Sequence, residues 1–251
     1  MKLSGLILVS AIFINANFKE ENDRFYSVKM TNLFTSPFNK DYKKVDTSHI
    51  FAHHYKNEVL YKIQNDTNFF GVYKSSDRIK VESTPFFYYF KHFDSLNGTV
   101  FTMLQNNYSY KSPVKEFGSV NMYFNLPIGN DFKTLNPKLI KAEGSIESGS
   151  LTETYLVESN VDTLMSSTWT LRFSKEFNDY PFSISPYFDS LKGIKLVEIR
   201  SDSPEKYMEK DKQKVGPFVY SIKMEKNVEK DTTAILNLFI KFKNLAEKQK
   251  D

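Results

Sequence analysis

The sequence predicts a mainly β (or α+β) chain, an antiparallel β-sandwich or a two-lobed β structure, closed by one amphipathic C-terminal helix. Three observations carry this. Apolar and polar residues alternate with period two in run after run, the pattern of half-buried strands. Aromatic residues make up 16% of the 251 residues, with 23 Phe and 15 Tyr, and such side chains suit a pleated surface. A single later segment, 231–249, changes to helical periodicity.

The first sixteen residues, MKLSGLILVSAIFINA, stand apart from that pattern. Lys2 supplies a positive start, Leu3 to Ile14 an apolar stretch, and Ala16 a small residue at a cleavage position, with Ile14 at −3. These are the parts of a secretory signal peptide, and the apolar run is shorter than the ~20 residues a bilayer-spanning helix needs. Residues 17–251 are then the mature chain, expected to be secreted or extracytoplasmic with no further membrane-spanning segment. With no cysteine anywhere, disulfides, thiolate metal sites and cysteine nucleophiles are excluded. An exported chain of this kind must hold together by its core.

The strand-like runs follow in order: FYSVKM, EVLYKIQ, IKVES, GTVFTML, SVNMYFNL, LTETYLVE, TWTLRF, PFSIS, IKLVEI and FVYSIKM. In EVLYKIQ, Val59, Tyr61 and Ile63 share one face while Glu58, Lys62 and Gln64 share the other. Phe86 to Phe90 is aromatic throughout, as for a strand buried on both faces. The charge-dense stretch 205–214 reads as a solvated loop or short exposed helix. Near the C-terminus, Asp231 or Thr232 can cap a helix. Ile235, Leu238, Phe239, Phe242, Leu245 and Ala246 then form one apolar stripe. That stripe packs on the sheet or, alternatively, meets a membrane through Ile235–Phe242.

Two segments share letters. Pro85-Phe86 is followed by Phe93-Asp94-Ser95-Leu96-Asn97-Gly98, and Pro181-Phe182 by Phe188-Asp189-Ser190-Leu191-Lys192-Gly193. An internal duplication would account for this. The chain is therefore one β-rich domain over 17–251 or two similar lobes, about 17–125 and 126–230, ahead of the helix.

Those segments also hold the sharpest enzymatic candidates, Asp94 and Asp189. Two lobes each presenting Asp-Ser resembles the aspartic proteases, in which paired carboxylates share a proton. That family places Gly after the hydroxyl residue, whereas Leu96 and Leu191 stand here. The competing reading is a turn in each segment, with Gly98 or Gly193 taking positive φ. His49, His53 and His92 are the candidates for a metal, with Glu58 as a possible fourth ligand. Phe86, Tyr88 and Phe90 are the candidates for stacking on a ligand. Asn65, Asn97 and Asn107 head glycosylation sequons, which would lie on surface loops. No G-x-S-x-G, P-loop, G-x-G-x-x-G or H-E-x-x-H occurs in the sequence. The net charge of +4 is small and unclustered, so nucleic acid is not an expected partner. No cofactor is implied. These features favour a non-catalytic binding protein for an extracellular protein, glycan or lipid, met through aromatic-rich β surfaces. A secreted hydrolase with paired carboxylates, or a membrane-active chain, is the alternative.

Overall fold

The computed structural model describes residues 24–35, 45–64, 86–95, 97–104, 107–115, 123–126, 132–157, 167–208 and 213–247. The leader, Asn65 and the IKVES run lie outside them.

Six strands form the first half of the chain: β1 (Phe25–Thr35), β2 (Val45–Tyr55), β3 (Glu58–Gln64), β4 (Phe86–His92), β5 (Asn97–Leu104) and β6 (Asn107–Lys115). The second half supplies β7 (Lys138–Ser145), β8 (Ser150–Val157), β9 (Ser167–Ser174), β10 (Lys195–Ser203) and β13 (Phe218–Lys226). All eleven join one antiparallel sheet in the order β6-β5-β4-β3-β2-β1-β13-β10-β9-β8-β7. The antiparallel fold and the closing helix are as the sequence predicts. In place of two facing sheets, one continuous sheet forms, because β1 and β13 pair at its middle from Val28 opposite Lys226 to Phe34 opposite Tyr220. The chain meanders outward from β1 to β6 at one edge, crosses over, and meanders inward from β7 at the other.

Alternation sorts the side chains. Val28 and Met30, Ile50 and Ala52, Val59, Tyr61 and Ile63, Phe87 and Tyr89 all enter one core on one face. Leu171, Phe173, Leu196, Ile199, Ile222 and Met224 continue it across the second half. Non-strand segments cover this face: Tyr123, Phe124, Leu126 and Phe132 of the crossover, Phe177, Phe182 and Ile184, and helix α1 (Pro186–Lys192). PFSIS and the YFNL end of SVNMYFNL, both read as strands, lie here instead, and residues 119–122 fall outside the described residues. Asn125 and Leu126 donate backbone hydrogen bonds to Ser183 and Ile184 at 2.9 and 2.7 Å. Tyr123, Phe124, Leu126, Phe182 and Ile184 plug the core without joining the sheet.

The opposite face carries helix α2 (Thr232–Glu247), within a residue or two of its expected span. Asp231 caps it, its Oδ1 accepting from the Ala234 N–H at 2.8 Å. Ile235, Phe239 and Phe242 are buried against Leu60, Phe90 and Phe101, and Phe101 stacks on Phe242 with centroids 4.2 Å apart and planes at 12°. The apolar stripe is thereby committed to the sheet. No described helix is long and apolar enough to cross a membrane.

The repeated letters take different structures. Phe93-Asp94-Ser95 forms the turn between β4 and β5, whereas Phe188–Lys192 is helical in α1, ending on Gly193 at φ 69°. Gly98 does not need positive φ. A Cβ there would overlap the Tyr89 ring and approach the Phe90 carbonyl oxygen, so close packing requires it. The 205–214 stretch contributes a separate two-stranded ladder, β11 (Lys206–Met208) with β12 (Gln213–Val215).

Removing the Phe242 ring leaves a cavity between helix and sheet. Phe242→Ala is expected to lower unfolding free energy by about 3–5 kcal/mol in urea titrations. Ile240→Ala, on the 60% exposed side of the same helix, is expected to change it by less than about 0.5 kcal/mol.

Candidate functional site

Helix α2 shields the β3–β5 portion of its face and reaches Tyr55 of β2 and Phe25 of β1 at its border. Beyond it, over β1, β13, β10, β9 and β8, the same face is a broad half-exposed polar surface. Register fixes its composition, since directly paired residues share a face. Lys29 lies opposite Glu225 and Thr31 opposite Lys223. Glu198 stands between Lys223 and Arg172, and Arg200 beside Thr170. The outer rows are Thr170 opposite Thr154 and Arg172 opposite Thr152. Strand propensity and solvation together explain the threonines, which are β-branched on one side and hydroxylated on the other.

Charges on this surface interlock. Arg172 donates from Nε to Glu198 Oε2 at 3.0 Å, and Arg200 grips both Asp202 oxygens at 2.7 Å. Lys223 donates to Glu225 at 2.6 Å, holding that carboxyl below the usual range. The Asp202 hydrogen bonds raise the Arg200 guanidinium further. His49 bonds the Thr31 hydroxyl at 3.2 Å and is shifted down by burial and then by Lys29. Cations and anions alternate over the surface and no single-sign field develops. Exposed pairs like these add little stability, about 0–1 kcal/mol each, but they fix charge positions that a partner can match.

At the border of this surface lies a buried polar cluster that the sequence did not single out. Asn227 Nδ2 donates to Ser27 Oγ at 3.0 Å and to Glu229 Oε1 at 2.5 Å. Ser27 Oγ and His53 Nδ1 are hydrogen-bonded at 2.9 Å, the direction set by the imidazole tautomer. His53 Nε2 faces Glu229 Oε1 at 3.7 Å. Phe25 stacks over the ring. Serine, histidine and a carboxylate in line is the connectivity of a hydrolytic triad. Here His53 is fully buried and Ser27 nearly so, so the hydroxyl has no approach for a substrate. The cluster instead ties β1, β2 and the chain entering α2 together. Period-two reading misses it because Ser27, Asn227 and Glu229 become neighbours only through β1–β13 pairing.

The predicted site residues are dispersed. Asp94 is exposed in the β4–β5 turn. Asp189 accepts from the Leu196 N–H at 2.8 Å and the Ser183 hydroxyl at 2.6 Å, with Lys195 Nζ at 3.3 Å, and so seats α1 on β10. No hydrogen bond or ion pair joins the two carboxylates among the described residues. His49 and His53 share a face of β2, but four strand residues apart means roughly 13 Å, too far for one metal ion. His92 lies at the end of β4, opposite Glu58. No group of three His, Asp or Glu side chains able to hold a metal occurs among the described residues. Phe90 packs on Phe239 and Phe242, Tyr88 on Phe242, and Phe86 under the Lys62 ammonium, so α2 occupies the expected stacking platform. Asn97 is exposed where β5 begins, and Asn107 opens β6. No protein-family model and no curated protein matches the chain.

Burial holds His53 at a pKa of about 3, with the Lys62 charge adding to the shift. The unfolded chain binds this proton at about pH 6.5, so the contribution is complete above 6.5 and drains as pH falls towards 3. His49 and His54, also shifted down by burial, act in the same direction. Unfolding free energy should fall below pH 6.5, His53 contributing up to about 1.4 kcal/mol per pH unit. Urea titrations of His53→Gln should show a shallower slope by about that amount, and an unchanged slope would refute the assignment.

Proposed function

We propose that the chain is an exported, non-catalytic binding protein whose partner is another protein, held on the polar face of β1, β13, β10, β9 and β8. The observation that carries this reading is the uneven cover of the sheet. One face is buried from β5 to β8 and the other at the α2 end, leaving fixed hydroxyls and alternating charges over five strands. Non-obligate protein interfaces are of this polar kind. A lipid surface would need a contiguous apolar patch, while the exposed large hydrophobics are an adjacent pair on β7, Leu139 and Ile140, and Phe34, Phe93, Leu191, Val228 and Ile240 on separate elements. A glycan would call for open aromatic platforms, and the expected one carries α2. Export is supported by the Lys2-to-Ala16 leader pattern, and the mature chain should begin at Asn17 when its N-terminus is sequenced from a secreting host.

Site-specific photo-crosslinking tests the surface. A crosslinker at Thr170 should capture a discrete partner on the exporting cell or its target. One at Asn237, on the exposed side of α2, should not. Thr154→Arg with Thr170→Arg should reduce binding at least tenfold, about 1.4 kcal/mol, without shifting the unfolding midpoint. Equal capture at both positions, or binding indifferent to the arginines, would exclude this face.

A further inference from the structure

The sheet ends differently at its two edges. β6 contains Pro113, and proline within an edge strand removes a donor and blocks further pairing. β7 contains none. Residues Lys138 to Gly144 are all exposed and no β7 residue belongs to either core cluster. Leu139 and Ile140 are 49% and 53% exposed. Beyond β7 no further strand pairs among the described residues, so its outward N–H and C=O groups form an open template.

This edge is also held firmly. Ser145 and Ser148 exchange hydrogen bonds at 3.1 Å across the β7–β8 turn. Gly149, at φ 85°, accepts from the Lys175 N–H at 2.9 Å, which anchors that turn to the 3-10 turn at Lys175–Phe177. An ordered strand with an unpaired side loses little entropy on gaining a neighbour.

Its charges are self-complementary. Lys141 and Glu143 lie on one face, 2.9 Å apart and well exposed. We propose that β7 pairs antiparallel with β7 of a second copy about a twofold axis at Ala142, joining two eleven-stranded sheets edge to edge. That register sets Lys141 opposite the partner's Glu143 and Glu143 opposite the partner's Lys141. Ile140, the extra residue of the β-bulge between Leu139 and Lys141, falls opposite the partner's Gly144, where no side chain competes for space. The contact is isologous and closes on itself. Pro113 on the other edge keeps the assembly from extending, so a dimer forms rather than a fibre.

Sedimentation equilibrium of the full chain and two charge variants tests this. The wild type should show a concentration-dependent mass rising from that of the monomer to twice that value. K141E places like charges opposite one another in the homodimer, as does E143K, and each alone should lose self-association at least tenfold. Mixed in equal amounts they should form a heterodimer, since the two acidic positions of one variant then face the two basic positions of the other. The double exchange K141E/E143K should restore the homodimer. A wild type that stays monomeric, single variants that associate as the wild type does, or a mixture that stays monomeric would each overturn the proposal.

Discussion

Everything in this sheet depends on the pairing of β1 with β13. The two strands come from opposite ends of the chain, with Val28 opposite Lys226 and Phe34 opposite Tyr220. Each half is a meander of local contacts, but a meander alone exposes its first or last strand. Central pairing removes both of those edges and leaves β6 and β7 as the edges of this sheet among the described residues. It also carries a kinetic consequence. A contact across nearly the whole chain must overcome loop-closure entropy before any pairing energy is gained, so the two meanders can form locally while their junction waits. The Ser27–His53–Asn227–Glu229 cluster sits at this junction, and the Asn227 N–H reaches the Ser27 carbonyl at 3.0 Å.

Buried polar groups serve placement more than stability in this fold. Glu153, almost fully buried, takes Lys192 Nζ at 2.7 Å and the Tyr155 hydroxyl at 2.9 Å. The hydroxyl is shifted upward by burial and by that carboxylate. A charge pair of this sort gains little over apolar packing, but breaking it strands an ion in the core. With Asp189 bridging Ser183, Leu196 and Lys195, it fixes the position of α1, a helix of seven residues too short to hold itself. The helix in turn supplies Phe188 to the core beside Phe132 and Phe173.

What the sequence revealed and what it hid follow from the range of the forces involved. Local period predicts β3 over Glu58–Gln64 residue for residue and α2 to within its caps, since each of these declares its buried face in its own letters. β7, KLIKAEGS, has no buried face to declare and carries no alternating signal. SVNMYFNL and PFSIS do alternate, yet Tyr123, Phe124, Leu126, Phe182 and Ile184 fill the core from outside the sheet. The FDSLxG pair shows the limit of shared letters. Behind β4 they turn a hairpin, and after Ser185-Pro186 they wind a helix, because proline at the first helical position sets φ for helix entry. Among the site candidates, the aromatic run is a strand covered on both faces, as its letters imply, and its burial under α2 removes it as a ligand platform.

The asymmetry of cover links these points to function. A sheet eleven strands wide presents two faces, and the described non-strand residues ahead of α2 bury one of them from β5 to β8. On the other, α2 lays its stripe over β3 to β5, where Leu60, Phe90 and Phe101 require it, and meets Tyr55 at the end of β2. Past β2 the outward positions change to Lys29, Thr31, Lys223, Glu225 and Arg172, and no helix is needed there because those side chains are satisfied by water and by each other. The boundary between covered and bare sheet therefore runs along β1 and β2, beside the His53 cluster. A partner on the bare face would rest directly on the strands that join the two halves, so its binding energy would add to the one pairing on which the sheet depends.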